Sequence, residues 1–455
     1  MKRRIAVAAV LAATLIGAAA CGSGSKSDNN PSGNGNQGGP ALKGSLQAQG
    51  QTVNAWIMAD AQNPKWLPIL NDAIARFKTE TGADVKVNFT SWGNHLQQLD
   101  AALQAGNGPD VVELGNTEAP KYVFGGGLVD LSSVTSKFDN SSSWLQGLSG
   151  ACLQDGHMYC IPYYAGTRLA IFRTDLLQKA GVTAAPTTQT ELLADLDKLK
   201  TANASNKNFV AWNMPGRYWY AAMSYVYTNG GVIADQQGGK WKGELEGAQA
   251  QAGLQQWANI VKNYSTTTTA TVNEADMDTL FETGNVFMEY DAGWHSGVVQ
   301  QVHTNPNDPN SPMKDTAVKG KVDLFAMPGI SSSQPFKSFL GGSVLGVTKD
   351  SKNQALAAEF IKFYTDTKAQ TALIGLGNLP NATSLLSVAS QNPAVGPQVA
   401  AAAQASWFTP ASPNWANVES QQVLQDMCQA IATGTDPMTA AAAADAKITS
   451  ILNAG

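Results

Sequence analysis

The apolar positions of the folded part of the chain switch repeatedly between two periods. Thr52–Met58 (TVNAWIM) alternates among β-rich residues, which predicts a strand. From Trp66 to Glu80, Leu70, Ala73, Ile74 and Phe77 recur at helical spacing, with Gly82 following as a C-terminal cap. Asp84–Phe89 (DVKVNF) returns to alternation. Asn94 then caps a helix with Leu96, Leu99 and Leu103 on one face, stopped at Gly106, and Val111, Val112 and Leu114 form a short buried strand. A β-α-β-α-β order requires parallel strands with right-handed crossovers, so the folded chain begins as an open α/β lobe. Ligands of such sheets gather beyond the carboxyl ends of the strands. Here those ends are Ala59-Asp60, Ser91-Trp92 and Gly115-Asn116-Thr117, which places hydrogen-bonding groups and one indole along a single edge. The alternative is that Trp92 belongs to the core and the others are loop polars.

Farther along, Leu169–Phe172 predicts a strand. Thr188-Gln-Thr-Glu191 has capping-box spacing and opens a helix buried through Leu192, Leu193, Leu196 and Leu199. Residues 209–227 are dense in aromatics. Trp257, Ile260, Val261 and Tyr264 mark another helix, and Met277, Leu280 and Phe281 one more, ending at Gly284. Val286–Tyr290 predicts a strand leading into Asp291-Ala-Gly293-Trp294. Residues 303–317 read as a polar, Pro-rich loop, Val322–Ala326 and Val344–Val347 as strands, and 353–366 and 367–375 as helices. The Ala-rich tail from 418 to 453 is helical, with a start at Asp436-Pro437. No internal repeat is present.

At 455 residues the chain exceeds what one core usually supports, about 150 residues per domain. Only 14% of residues are charged and the net charge is −5, so the sequence lacks the footprint of a nucleic-acid binder. The amino terminus describes an export signal. Lys2, Arg3 and Arg4 precede an apolar run, Ile5 to Ala20, that ends in small residues before Cys21. That junction resembles a lipobox, although Ala18 stands where the pattern usually has Leu or Val. It implies lipidation of Cys21, the alternative being an ordinary signal peptide cut nearby. Residues 21–50 are Gly, Ser, Asn and Gln with little to bury, the composition of a flexible leash.

Cys152-Leu-Gln-Asp-Gly-His-Met-Tyr-Cys160 is centred on Asp155-Gly156-His157, a three-residue hairpin loop that sets the two cysteines across from each other. In an exported chain this favours a disulfide. Cys428, on an apolar helical stripe, reads as a buried free thiol. With four His in the chain and no suitable spacing, no metal site and no cofactor are expected.

Several segments together resemble extracellular solute-binding proteins of sugar-importing ABC transporters, the maltose-binding-like family. They are Gly108-Pro-Asp110-Val-Val, Gly156-His-Met-Tyr-Cys-Ile-Pro162, Arg173-Thr-Asp175-Leu-Leu-Gln-Lys-Ala-Gly181, Pro186-Thr-Thr, Phe281-Glu-Thr-Gly284-Asn-Val-Phe-Met288, Met327-Pro328-Gly329, Gly341-Gly342 and Ala357-Ala-Glu-Phe-Ile-Lys-Phe363. They stand in the family's order over about 105 to 380. Glu113-Leu-Gly-Asn116-Thr117 and Trp294 further resemble the branch that binds N,N'-diacetylchitobiose. The resemblance implies an α/β fold of two lobes with a hinge and an interlobe cleft. Carried over by order, residues 1–20 are signal peptide, 21–50 the lipid-anchored linker, 50–160 plus 341–384 lobe 1, and 161–340 plus 385–455 lobe 2. It also implies a monomer on the extracytoplasmic face of the cell membrane that closes on a mono- or oligosaccharide and delivers it to an ABC permease without chemistry.

A sugar offers apolar C–H faces and a rim of hydroxyls, so its site needs flat rings and fixed polar groups. Trp92, Tyr163, Tyr164, Trp219, Trp294, Trp407 and Trp415 are the ring candidates. Tyr163 and Trp294 fall at the family's cleft positions. Trp407 and Trp415 flank Pro410 and Pro413 in a loop, where exposed indoles call for a covering ligand. Core packing is the alternative for Trp219 and Trp407. Asp60, Asn116, Thr117 and Asp291 are the polar candidates, with the Gly341-Gly342 amides approaching closely; the alternatives are a solvated strand end for Asp291 and a hinge turn for the glycines, and Arg168 could serve an acidic ligand but is more often, near a loop, a surface residue. Two other functions remain open. A secreted glycoside hydrolase needs paired carboxyls, and Glu289 and Asp291, two apart on a strand at about 6.8 Å, are the best local pair. A non-transport surface sugar-binding or sensor protein would carry the same rings, and a polyamine, thiamine or metal ligand would keep the fold.

Overall fold

A computed structural model describes residues 41–454 except 60–64, 93, 275–276, 306–310, 332, 394, 397–398 and 400–405. The candidate acceptor Asp60, the lipidation site Cys21 and the signal segment lie outside the described residues. No described helix is long and apolar enough to cross a membrane.

The predicted parallel start is present. Strand β1 (Thr52–Met58) pairs in parallel with both β2 (Asp84–Thr90) and β3 (Val111–Gly115). Helix α1 (Leu67–Thr81) buries Leu70, Ala73 and Phe77, and Gly82 ends it in the left-handed conformation at φ 75°. Helix α2 (His95–Gln104) follows Asn94, which stands at the N-cap without a side-chain capping bond. Helix α3 (Ala119–Phe124) leaves the end of β3.

The central element is β4, Cys160–Arg173, one uninterrupted strand where the sequence suggested only Leu169–Phe172. Its first half, through Thr167, pairs antiparallel with the late strand Leu340–Val347. Its second half, from Arg168, pairs antiparallel with β6 (Val286–Ala292) and with β7 (Val322–Phe325). Strand β5 (Val210–Asn213) lies parallel to β6, and Leu340–Val347 is β8, which also pairs antiparallel with β3. The path β2-β1-β3-β8-β4-β6-β5 therefore changes partners in the middle of one strand.

Each half of β4 feeds its own core. Ile161 and Tyr163 join β1, α1 and the helix Gln354–Thr365. Ala170 and Phe172 join a larger core that includes helices α5 (Trp219–Thr228), α6 (Ala248–Tyr264), Val423–Ala432 and Pro437–Leu452. The predicted helix α4 (Gln189–Ala202) is capped by Thr188, whose side chain accepts from the Glu191 amide. Glu191 in return accepts from the Thr187 amide and hydroxyl. Asp436 caps Pro437–Leu452 by accepting from the Thr439 amide. Three further helices are α7 (Gln354–Thr365), α8 (Thr367–Gly375) and α9 (Trp415–Ser420).

Two local expectations change. Cys152 and Cys160 are joined, but the hairpin inside their loop pairs Gln154 with His157 and has only Asp155 and Gly156 at its tip. Both tip residues have positive φ, 52° and 81°, the conformation an Asp-Gly pair tolerates in a two-residue turn. The segment 303–317 is no simple loop, because Gln301–His303 and Met313–Asp315 pair as a small antiparallel hairpin. Cys428 is buried and free, among Leu424, Met427 and Ile431.

Candidate functional site

A cleft of about 300 Å³ opens where β4 changes partners. Tyr164, Gly166 and Arg168 face it from alternate positions of β4, as the two-residue period of a strand dictates. The end of β3 contributes Gly115 to Thr117 and the following Glu118, β8 contributes Gly341, Gly342 and Ser343, and Ala292 and Trp294 close the other side. Gly342 permits this meeting. A Cβ there would lie 2.2 Å from the Tyr164 carbonyl oxygen, so only glycine fits.

The rings form an open mouth and a closed wall. Trp92 and Trp294 are 41% and 37% exposed, unusual for indoles and suited to covering by a ligand. Trp294 stacks on His295, with ring centroids 3.9 Å apart. Tyr164 leans edge-on against Trp66, and Tyr220 stacks on Trp219 behind it.

Three ionisable groups line the same space. Glu118 accepts from His95 Nε2 at 2.9 Å and from the Gly115 amide at 2.8 Å. Burial would lower the His95 pKa, but Glu118 outweighs it and the net shift is upward. Arg168 donates from Nε to the Tyr218 hydroxyl at 2.8 Å while its guanidinium lies over Tyr220 and Phe339. Glu419, from α9, accepts from the Trp415 indole and from Thr117 Oγ1. Burial pushes its carboxyl up to about 8, against the Trp415 hydrogen bond and with help from Glu118.

Trp92, Asn116, Thr117, Tyr164, Trp294, Gly341 and Gly342 thus meet at one cleft. Asn116 serves it indirectly: its side-chain amide donates to the Gly147 and Leu340 carbonyls, bracing β3 against the entry to β8. Five other candidates lie elsewhere. Tyr163 is one position out of phase with Tyr164, so it points into the core, stacks near Tyr364 and accepts from Trp66 Nε1 at 2.9 Å. Trp219 is likewise the inward neighbour of Tyr220. Trp407 and Trp415 are buried because their Pro-rich loop folds back onto the larger core: Trp407 stacks on Tyr227 and donates to Ser224, and Trp415 donates to Glu419. Asp291 lies below the cleft wall, facing Asp278 and His295, the described residues best placed to hold a metal. Its partner in the hydrolase reading, Glu289, is fully buried and does not line the cleft.

Residues 60–371 match the family described as bacterial extracellular solute-binding protein, well over half of the chain. The chain belongs to that family. This solute-binding protein is 28% identical over 446 residues to the diacetylchitobiose binding protein DasA of Streptomyces coelicolor, covering 97% of the chain and 96% of DasA. A probable ABC transporter-binding protein of Deinococcus radiodurans is 26% identical over 47% of the chain and 49% of its own length. Among solved structures, an ABC transporter solute-binding protein of Thermotoga lettingae bound with α-D-tagatose superposes with a TM-score of 0.72, at 19% identity, over 89% of this chain and all of that one. The GacH receptor of Streptomyces glaucescens, solved unliganded and with acarbose, gives 0.72 at 20% identity over 88% and 98%. These likenesses establish a two-lobed solute-binding fold, and the family places the chain outside the cytoplasm.

Arg168, Tyr220, Glu118 and Glu419 are among the cleft residues that the sequence analysis did not choose. Arg168 was detectable, since it stands four positions after Tyr164 on one strand and so shares its face. Glu419 carries no such signal. It comes from the far end of the chain and only the packing of α9 brings it in.

Proposed function

We propose that this solute-binding protein captures a sugar or short oligosaccharide for an ABC importer, with N,N'-diacetylchitobiose as the first ligand to test. The observation that carries the reading is the cleft at the partner change of β4, with Trp92, Trp294 and Tyr164 beside Arg168, Glu118 and Glu419. Rings for the sugar faces and fixed polar groups for its rim are the complement a carbohydrate needs. Lobe 1 is taken as 50–160 plus 341–384 and lobe 2 as 161–340 plus 385–455, hinged at β4 and β8. A ligand touching both lobes favours the closed form. The monomer hangs from the membrane by a lipid on Cys21 and hands its sugar to a permease unaltered. Calorimetric titration with N,N'-diacetylchitobiose, maltose, cellobiose and xylobiose tests this. Saturable binding of at least one is expected, and no heat from any of them would remove the carbohydrate reading.

One observation favours a second reading. Glu118, ion-paired with His95, and Glu419, whose carboxyl burial pushes up to about 8, line one cleft, and a glycoside hydrolase needs two carboxyls in its cleft. Both carboxyls already have protein partners, and the matched family consists of binding proteins. Incubation with chitobiose and maltose oligomers decides: release of shorter sugars overturns the binding-only reading.

A further inference from the structure

Beneath the cleft wall, and outside the cleft itself, lies a group of acidic side chains that sugar capture does not use. Ligand atoms of Asp278, Asp291 and His295 all lie within 4.8 Å of one another. We propose that His295 and Asp291, with Asp278 holding the imidazole in place, form a binding site for one divalent transition-metal ion of the Zn²⁺ or Mn²⁺ class, with Glu289 facing it from behind.

The histidine is set up as a ligand. His295 Nδ1 lies 2.7 Å from Asp278 Oδ2, the arrangement in which a carboxylate fixes the tautomer and leaves the other nitrogen free for a metal. Nε2 then faces Asp291 Oδ2 at 3.4 Å. A charge-assisted hydrogen bond would be nearer 2.8 Å. Two ligands each about 2.1 Å from one ion, at a tetrahedral angle, stand about 3.4 Å apart.

The second observation is Glu289. It shares a face of β6 with Asp291, two residues on, and is fully buried. Neither of its oxygens has a hydrogen-bond partner, and the buried Asp278 Oδ1 has none either. The charges that act on Glu289 are Asp278, Asp291 and Glu282, all acidic. Burying carboxyls without donors is costly, and a cation among them removes the cost. One imidazole with carboxylates selects a first-row metal over Ca²⁺ or Mg²⁺, which prefer all-oxygen shells.

The site is independent of the sugar reading and is tested without a sugar. The processed full-length protein is stripped with chelator, dialysed against Zn²⁺ or Mn²⁺, and its metal content measured. Binding of one equivalent per chain with a rise in Tm is expected, together with visible absorption on loading with Co²⁺. Asp291→Asn and His295→Gln should each weaken binding at least about ten-fold. His157→Gln, at the partly buried His157–Asp130 pair, should leave it unchanged. Should a variant fail to fold, the Co²⁺ spectrum of the wild-type protein still decides. Absence of stoichiometric binding and of that spectrum, or binding that survives either cluster substitution, overturns the site.

Discussion

The guanidinium of Arg168 lies 4.2 Å from the centre of the Tyr220 ring, at the point where β4 leaves β8 and joins β6. Tyr218 accepts from its Nε, so the guanidinium is fixed over the aromatic wall. A lysine has no Nε donor beside a second cationic nitrogen, so it cannot keep both the Tyr218 hydrogen bond and the contact over the rings. Arg168→Lys should therefore weaken sugar binding about ten-fold, of the order of a desolvated cation–π contact with its hydrogen bond. Calorimetry against the best wild-type ligand measures the loss, with an unchanged Tm as the control for folding.

Two indoles of similar size should respond in opposite ways. Trp294→Ala removes an exposed ring from the cleft, and is expected to weaken binding at least about ten-fold while leaving stability within about 0.5 kcal/mol. Trp219→Ala empties a fully buried site and should cost about 3–5 kcal/mol of stability. Urea unfolding of the two variants separates these roles, and equal destabilisation would contradict the placement of Trp294 at the surface.

The Glu419 carboxyl sets a pH dependence. Its folded value of about 8 lies above the ordinary 4.5, so the fold favours the protonated form. Its contribution to stability is fully present below about 4.5 and is lost as pH rises through about 8. Glu419→Gln should match wild type at pH 5 and exceed it at pH 9 in urea midpoint. Asp445, pushed up to about 6 by burial, leaves a smaller decline at lower pH in both proteins.

Gly342 gives the sharpest steric prediction. An added methyl meets the Tyr164 carbonyl at 2.2 Å and the Ala165 Cα at 2.9 Å, both backbone atoms that cannot turn aside. Gly342→Ala should lower stability by about 3 kcal/mol, the upper end for overpacking. A thermal melt tests it, with Gly150→Ala, where nothing lies within 4 Å, as the tolerated comparison.

Reduction of Cys152–Cys160 should cost about 2.5 kcal/mol from the entropy of the short loop it closes. The midpoint of urea unfolding with and without reductant measures it.

The parallel start of the fold was legible because period alone separates β1, α1 and β2, and the order of those elements fixes parallel pairing. The ends of β2 and β3 gave Trp92, Asn116 and Thr117 by the same route. Adjacent aromatics were not legible. Tyr163 and Tyr164, or Trp219 and Tyr220, are alike in composition, and only the phase of the strand or helix decides which ring meets the cleft. The expectation for Trp407 and Trp415 failed for another reason. Their loop covers the larger core, so rings that looked costly to expose are covered by the protein itself.

Strand β4 belongs to two sheets' worth of pairing and to two cores at once. The halves of the molecule are therefore not exchangeable modules. Severing the backbone anywhere from Cys160 to Arg173 strips an interior strand from one side or the other. A chimera spliced there to swap ligand preference inherits a broken sheet, whereas grafting the residues at the rim of the cleft leaves the shared strand whole.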